Sequence, residues 1–186
     1  MNTLILIKDV NGDEPSQNMM YVANILKEFG NVHVVTYGKR NDYVDKNINI
    51  HFVDFNLQAD NIFNWTMLVN NEIKKRAIEL NDKTNFDIVH SHDWTSGSAG
   101  ISISKLLDIP LISTFHSTEQ QRGFGSYVSQ IISDVEWWLA YESRDIFVTN
   151  NNTRMSLIND LKVPGDKIFD STKENIIKVI NELGVK

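Results

Sequence analysis

The sequence predicts an α/β fold, a single doubly wound parallel sheet with helices on both faces. Apolar runs of strand length alternate with segments of helical period along the chain, which is the pattern of repeated strand–helix units. The strand segments are apolar along their whole length, as expected for strands that are buried on both faces. With 186 residues, of which 41% are hydrophobic, the chain has the size and core of one domain. We expect about six strands in the order 3-2-1-4-5-6, the usual doubly wound arrangement.

The predicted elements follow from where each apolar pattern starts and stops. Short apolar runs that end at polar or glycine-containing breaks are predicted as strands. These runs are residues 3–8, 32–37, 50–55, 87–90, 111–115 and 146–149. Longer segments with apolar residues three or four apart are predicted as helices. These segments are residues 16–29, 62–80, 98–107, 127–142 and 153–161, with Ser16 as the expected N-cap of the first helix.

Composition restricts the classes of partner. The chain has 18 Lys and Arg against 24 Asp and Glu, a formal net charge of -6, and no basic stripe, which argues against nucleic acid as a partner. It has no cysteine, so we expect neither disulfides nor a thiolate site, and a reducing cytoplasm is the expected location. The apolar start lacks the basic region and cleavage site of a signal peptide, and no segment has transmembrane length, so we expect no membrane partner.

The candidate site lies in the loops that follow the strands. In a doubly wound sheet, ligands bind beyond the carboxyl ends of the strands. Four loops meet this condition, and the second and third of them carry the most groups that can bind or catalyse. The four are residues 9–15, 90–96, 116–125 and 150–152. Because their parent strands are consecutive, we expect His92 and His116 to share one crevice, with side chains partly open to solvent.

The second loop ends the stretch FDIVHSHDW, which places two histidines at a strand end. Residues two apart on a strand point the same way, so His90, His92 and Asp93 could bind a metal in a small hydrolase. No further histidine follows within the next several residues, so we expect no metal here. Burial in the core is the favoured interpretation for His90 and Trp94. For His92 and Asp93, which are polar and lie just past the strand, a functional role is favoured.

The third loop, STFHSTEQQRGFGS, combines imidazole, hydroxyl, carboxylate and guanidinium groups within a few residues. The groups belong to His116, Ser117, Thr118, Glu119 and Arg122. Such a variety of donors and acceptors suits a polyhydroxylated ligand such as a sugar. A polar loop without a ligand is the alternative that the residues alone leave open.

Four segments in order resemble those of glycogen and starch synthases and related retaining glycosyltransferases. FDIVHSHDW resembles that group's strand and loop with a His-x-His-Asp-Trp motif, and PLISTFHSTEQQRG resembles the next strand and loop, especially in archaeal members. DVEWWLAYESRDIFVTNNNTRMSL and VPGDKIF are similar to the segments that follow in the group. The resemblance runs from about residue 64 to residue 169.

The resemblance implies one half of a GT-B fold, the amino-terminal Rossmann-like domain that binds the acceptor. It implies a nucleotide-sugar donor and an α-glucan acceptor, and no cofactor. It also implies a catalytic residue that contacts the transferred sugar, His92, and two residues that position its loop, Asp93 and Trp94. On the third loop, side-chain chemistry makes His116, Ser117, Glu119 and Arg122 the candidate substrate-binding set.

The first loop, KDVNGDEPSQN, departs from the group, in which two glycines place backbone N–H groups near the donor phosphates. Here Gly12 is the single glycine, and Asp13 and Glu14 beside it would repel a diphosphate. Either the donor is held in another manner or this loop no longer works. An ordinary acidic loop is the favoured interpretation, and Gly12 is the weakest candidate for the donor phosphates.

The end of the sequence also departs from the group. After VPGDKIFD the group enters its donor domain, whereas this chain continues with STKENIIKVINELGVK. Ser171 and Glu174 form a predicted capping box, and Ile176, Ile180 and Leu183 form one apolar stripe. We expect residues 1–169 to form the acceptor-side domain and residues 170–186 to form a helix packed back on it.

Three functions remain open on the sequence. The first is the acceptor-side domain of a glucosyl-transferring enzyme, inactive without the missing donor domain. The second is a non-catalytic carbohydrate-binding or scaffold domain of the same descent, which the acidic first loop favours. The third is the metal-dependent hydrolase built on His90, His92 and Asp93.

Overall fold

The computed structural model describes residues 1–123 and 125–184, which form one eight-stranded sheet covered by helices. The strands are β1 (Asn2–Asp9), β2 (Asn31–Tyr37), β3 (Tyr43–Asp45), β4 (Ile48–Val53), β5 (Ile88–His92), β6 (Leu111–Phe115), β7 (Asp145–Val148) and β8 (Ile168–Asp170). The helices are α1 (Glu14–Leu26), α2 (Ile62–Thr84), α3 (Trp94–Leu107), α4 (Glu119–Gly123), α5 (Tyr127–Glu142), α6 (Asn151–Asn159) and α7 (Lys173–Glu182), with a short 3-10 turn at Gly165–Lys167.

The strand order confirms the predicted fold class. The sheet runs β3-β4-β2-β1-β5-β6-β7-β8. The six predicted strands are β1, β2, β4, β5, β6 and β7, and they lie in the predicted order 3-2-1-4-5-6. Within the described residues, β3 pairs antiparallel with β4 and the other pairs are parallel. The edge strands β3 and β8 were not predicted, because three residues are too few to show a period.

The two faces of the sheet carry separate apolar cores. Successive strand residues point to opposite faces, so Leu4 and Leu6 join one core while Ile5 and Ile7 join the other. Helices α2, α3, α5 and α6 cover the first face, and α1 and α7 cover the second. This two-sided burial is why the strands are apolar along their whole length.

Helix α3 packs directly on the strand that carries His92. A Cβ atom added at Gly100 would lie 2.9 Å from the Ser91 Cβ, and one added at Gly97 would lie 3.2 Å from Leu139 Cδ2 on α5. These glycines allow β5, α3 and α5 to approach one another closely. Helix α3 therefore holds the end of β5 in place by packing against it on the first face of the sheet.

Helices α3 and α6 start four and two residues before their predicted first residues, 98 and 153, and two predicted helix caps are wrong. Helix α1 begins at Glu14 with Asp13 as its N-cap, whose side chain accepts from the Ser16 N–H at 3.0 Å. Ser16 is buried inside the first turn, so its predicted capping role is wrong, because the aspartate ahead of Pro15 is an equally good cap. Helix α7 is capped by Thr172, whose Oγ1 accepts from the Asn175 N–H, so the capping box predicted at Ser171 is also wrong.

The last helix lies against α1 and the second face of the sheet. Ile176, Val179 and Ile180 are buried in that core, and Leu183 packs at its edge. Residues 185 and 186 of the predicted tail lie outside the described residues, and the division of the chain at residue 169 stays a prediction. None of the helices in the described part of the chain is long and apolar enough to cross a membrane.

Candidate functional site

The candidate site lies where β5 and β6 end side by side. His92 pairs in register with Thr114, and the Asp93 N–H donates to the Thr114 carbonyl oxygen at 2.9 Å. Strand β5 continues two residues past its predicted end at residue 90, so His92 belongs to the strand itself. Its side chain therefore lies on the face of the sheet and not in the loop.

Three histidine rings stack at this edge. The ring centroids of His90 and His92 are 4.7 Å apart, and those of His92 and His116 are 5.6 Å apart. His92 Nδ1 lies 3.3 Å from His116 Nε2, and His90 Nε2 lies 2.7 Å from Thr114 Oγ1. The predicted proximity of His92 and His116 is confirmed.

The predicted solvent accessibility of these two side chains is wrong. His92 is 1% exposed and His116 is 7% exposed. His92 is buried because β5 extends two residues further than predicted, which places its side chain on the face of the sheet. The rings of His90 and His116 stack on either side of His92 and cover it. The predicted core position of His90 agrees with its burial at 2% exposure.

Burial keeps the first two rings neutral at pH 7. Burial, together with the charge that His116 could carry, lowers the pKa of His90 to about 3. Burial and both neighbouring histidines lower the pKa of His92 well below its usual range. A neutral imidazole has one donor and one acceptor nitrogen. Within the described residues, His92 Nε2 and His116 Nδ1 are buried without a hydrogen-bond partner, so each is able to bond a ligand oxygen.

Asp93 connects the second loop to the third. Its Oδ1 accepts from the His116 N–H at 2.8 Å. Its backbone has φ 56° and ψ 174°, a conformation that costs a residue with a side chain on the order of 1–3 kcal/mol. Burial raises the pKa of Asp93, and His116 opposes that effect. Such strain persists only where surrounding contacts impose it, which fits a residue that positions the loop.

Trp94 begins α3 and is buried at 6% exposure, with its ring stacked on Phe63 at a centroid distance of 6.3 Å. The predicted core position of Trp94 agrees with this burial. Its contact with Phe63 on α2 fixes the first turn of α3. The loop-positioning role of Asp93 and Trp94 stays a prediction about the reaction.

The third loop places its predicted ligand-binding groups against one another. Arg122 donates through Nη1 to Ser117 Oγ at 2.6 Å and through Nε to Glu119 Oε2 at 3.1 Å. It also donates through Nη2 to Glu136 Oε1 at 2.6 Å. Thr118 is buried and lies 2.7 Å from Ser156 through the two hydroxyl oxygens. The structure thus brings the predicted set together, with Ser117, Glu119 and Arg122 already bonded within the protein.

Comparison with known proteins identifies the family. The sequence pattern of Glycosyltransferase Family 4 matches residues 20–169. The chain belongs to this family. The match includes both histidine-bearing loops and the whole of α2, α3, α5 and α6.

Two curated relatives share part of this region. An uncharacterized glycosyltransferase of Methanocaldococcus jannaschii is 28% identical over 107 residues, which is 56% of this chain and 27% of the relative. Glycogen synthase of Mycobacterium tuberculosis is 35% identical over 82 residues, which is 42% of this chain and 20% of the relative. The matched region therefore spans only about a fifth to just over a quarter of the length of these relatives.

Solved structures show the same fold. Sucrose-phosphate synthase of Thermosynechococcus elongatus superposes with a TM-score of 0.70 and 12% identity, covering 98% of this chain and 97% of the solved chain. HepE of Anabaena, solved in complex with UDP-glucose, superposes with a TM-score of 0.62 and 14% identity, covering 99% of this chain and 50% of HepE. The family 4 chain thus has the fold of a GT-B half-domain.

In the first loop of this family 4 chain, the space where a side chain of Gly12 would begin is empty of other protein atoms. Gly12 has φ +87°, and an added Cβ atom would meet nothing within 4 Å. Burial alone would raise the pKa of Asp13, but hydrogen bonds from Ser16 outweigh it and lower that pKa. The Asp13 carboxylate thus faces its own helix. A groove of about 420 Å³ opens beside the loop, lined by Val10, Gly12, Ser16, Gln17, Met20, Tyr21 and Asn24.

Metal binding has no support in the side-chain arrangement. The rings of His90 and His92 lie face to face, with their centroids 4.7 Å apart. Across residues 1–123 and 125–184, no group of three or more His, Asp or Glu is placed to hold a metal ion.

Two residues of the site were missed from the sequence. Ser96 is fully buried, and its Oγ lies 3.0 Å from the Leu6 carbonyl oxygen and 3.0 Å from the His92 N–H nitrogen, which ties β1 to the end of β5. Glu136 is fully buried on α5 and accepts from Arg122. Burial raises the pKa of Glu136 to about 7, against the effects of the Glu119 N–H and Arg122. A carboxylate within the apolar stripe of α5 was the sequence signal for Glu136.

Proposed function

We propose that this chain is the acceptor-side half of a retaining glycosyltransferase, which transfers glucose from a nucleotide-sugar to an α-glucan or a related acceptor. The observation that carries the proposal is the pair of unpartnered nitrogens on His92 and His116, at the carboxyl ends of β5 and β6 in a family 4 chain. The similarity to a glycogen synthase supports the glucan acceptor. The fold shared with a protein that binds UDP-glucose supports the nucleotide-sugar donor.

In this proposal His92 is the catalytic residue that contacts the transferred sugar. Its neutral ring carries no charge of its own, so it acts by hydrogen bonding to sugar oxygens. Where His116 Nε2–H donates to His92 Nδ1, the tautomer makes His92 Nε2 the donor to the ligand. Because His92 Nε2 is buried, a ligand reaches it only if the side chains over it move aside. His116, Ser117, Glu119 and Arg122 are the proposed substrate-binding set.

The donor diphosphate needs cations or N–H groups around it, and the first loop of this chain places two carboxylates, Asp13 and Glu14, beside its N–H groups. Developing charge on the leaving diphosphate has to be stabilised for the transfer to proceed. The loop at Gly12 has the N–H groups of the α1 start, but Asp13 and Glu14 stand beside them. We therefore propose that a donor-binding domain supplies this stabilisation, and that the described chain alone is inactive.

A non-catalytic carbohydrate-binding or scaffold domain is the second candidate. The hydrogen bonds that Arg122 donates to Ser117 and Glu119 favour it, because side chains that already hydrogen-bond one another are less available to a sugar. The carbohydrate-binding form of this candidate uses the same edge of the sheet, so the two candidates are distinguished by whether a donor domain restores transfer.

Purified chain incubated with UDP-glucose or ADP-glucose and glycogen should show no transfer of labelled glucose. Titration of the ¹⁵N-labelled chain with maltohexaose should shift the amides of His116 and Glu119, with a dissociation constant of about 1 mM or weaker. The variant His116→Ala should lose these shifts, whereas His33→Ala, a histidine substitution on β2, which is separated from β5 by β1, should keep them.

Two outcomes would contradict the proposal. Transfer by the purified chain that His92→Ala abolishes would show that no donor domain is needed. Amide shifts that arise only away from the β5 and β6 ends would place the acceptor elsewhere. If a donor domain supplied in trans binds the chain and restores no transfer, the scaffold candidate gains the support.

A further inference from the structure

Glu136 lies where an apolar side chain would be expected. The residues of α5 that face the core include Ile132, Glu136, Leu139 and Ala140, which are spaced as one helical stripe. An ionisable group in such a stripe costs free energy unless it is fully hydrogen-bonded. Glu136 is 0% exposed, so its contacts have to offset that cost.

The contacts of Glu136 all lead to the third loop. Its two carboxylate oxygens accept from the Glu119 N–H at 2.9 and 2.8 Å, and Oε1 also accepts from Arg122 Nη2 at 2.6 Å. Glu119 is the first residue of the short helix α4, so the carboxylate of Glu136 holds the start of that turn. Arg122 continues the chain of contacts to the Ser117 hydroxyl.

A second carboxylate holds the other end of the same stretch. Asp93 accepts from the His116 N–H, three residues before the N–H that Glu136 binds. The two carboxylates come from different elements, since Asp93 precedes α3 and Glu136 belongs to α5. Because α3 and α5 pack closely at Gly97 and Leu139, the separation of the two carboxylates is fixed by the core. Residues 116–119 are thus held at both ends.

We propose that Glu136 is a positioning residue, which together with Asp93 clamps residues 116–119 and so fixes His116 against His92. The role of the clamp in sugar binding rests on the proposed function, whereas the clamp itself rests on the contacts alone. The Glu119 amide and the Arg122 guanidinium offset the cost of burying the Glu136 carboxylate, and both donors belong to the third loop.

Hydrogen exchange of single amides tests the clamp. In Glu136→Gln, the Glu119 amide loses its charged acceptor and should exchange about tenfold faster or more. The interior α5 amides of Ile132 and Leu139 should change by no more than about twofold, which excludes unfolding of the helix. Glu142→Gln is the matched control, since it makes the same substitution on the same helix at a carboxyl that pairs with the exposed Lys105.

A pH titration of the wild-type chain is a second test of the clamp and needs no variant. The Glu119 amide resonance should titrate with the Glu136 carboxyl at a midpoint near pH 7, the pKa that burial gives this group. Arg122 and Asp93 are the charged groups that act on it, and Arg122→Gln should move the midpoint upward because a neighbouring cation is lost. An amide that neither titrates nor exchanges faster in Glu136→Gln would overturn the clamp.

The functional arm uses the chain with a donor domain that supports transfer. Glu136→Gln should lower kcat/KM for the acceptor about tenfold and leave the KM for the nucleotide-sugar unchanged, with partial recovery in Glu136→Asp. An unchanged acceptor kcat/KM, in a variant whose Glu119 amide is released, would overturn the positioning role. If no transfer is found at all, the proposed function fails while the amide arms still decide the clamp.

Discussion

Acidification should destabilise the wild-type chain more than a variant that lacks His90. The unfolded state takes up a proton on His90 below about pH 6.5, but the folded state does so only near its lowered pKa of about 3. The stability that this group contributes is therefore present above pH 6.5 and is lost as the pH falls towards 3. By pH 4 the loss reaches about 3 kcal/mol for His90 by linkage, and the lowered pKa of His92 acts in the same direction.

Urea unfolding of wild type and His90→Gln at pH 7, 6, 5 and 4 checks this prediction. The difference in unfolding free energy between the two chains should shrink by about 3 kcal/mol from pH 7 to pH 4. Glu136 acts oppositely, because its raised pKa adds stability as the pH falls below 7, but it is common to both chains and cancels. Parallel pH curves for the two chains would show that His90 is not held neutral by burial.

Replacing Phe115 by alanine should lower the free energy of unfolding by about 3–5 kcal/mol. Phe115 is the last residue of β6, is 0% exposed and lies in the first-face core immediately before His116. Truncation removes its buried surface and leaves a cavity that the close-packed strands cannot collapse into. The expected loss is a large part of the stability of a domain of this size.

The measurement is urea unfolding at pH 7, with Leu57→Ala as the control. Leu57 is 62% exposed, so its truncation should change the unfolding free energy by no more than about 0.5 kcal/mol. The His116 resonances should shift in Phe115→Ala, because the strand end that carries His116 loses its support. A loss below about 1 kcal/mol would show that the core around β6 repacks.

The sequence was enough to predict the fold because its signals are local. Each apolar run reports its own strand, and the chirality of strand–helix–strand connections leaves few orders for a parallel sheet. The proximity of His92 and His116 follows in the same way, because each lies at the end of one of two consecutive strands. Even the core position of His90 and Trp94 could be derived from the run that contains them.

Only the tertiary structure determined which polar side chains of the candidate site are exposed to solvent and which are buried or hydrogen-bonded within the protein. The burial of His92 depends on rings contributed by His90 and His116, and the engagement of Arg122 depends on Glu136 from another helix. Glu136 bonds an amide 17 positions away, a relation that no period in the sequence records. Periodicity reports which face of an element is buried, whereas the partner of a buried polar group is set by how separate elements pack against each other.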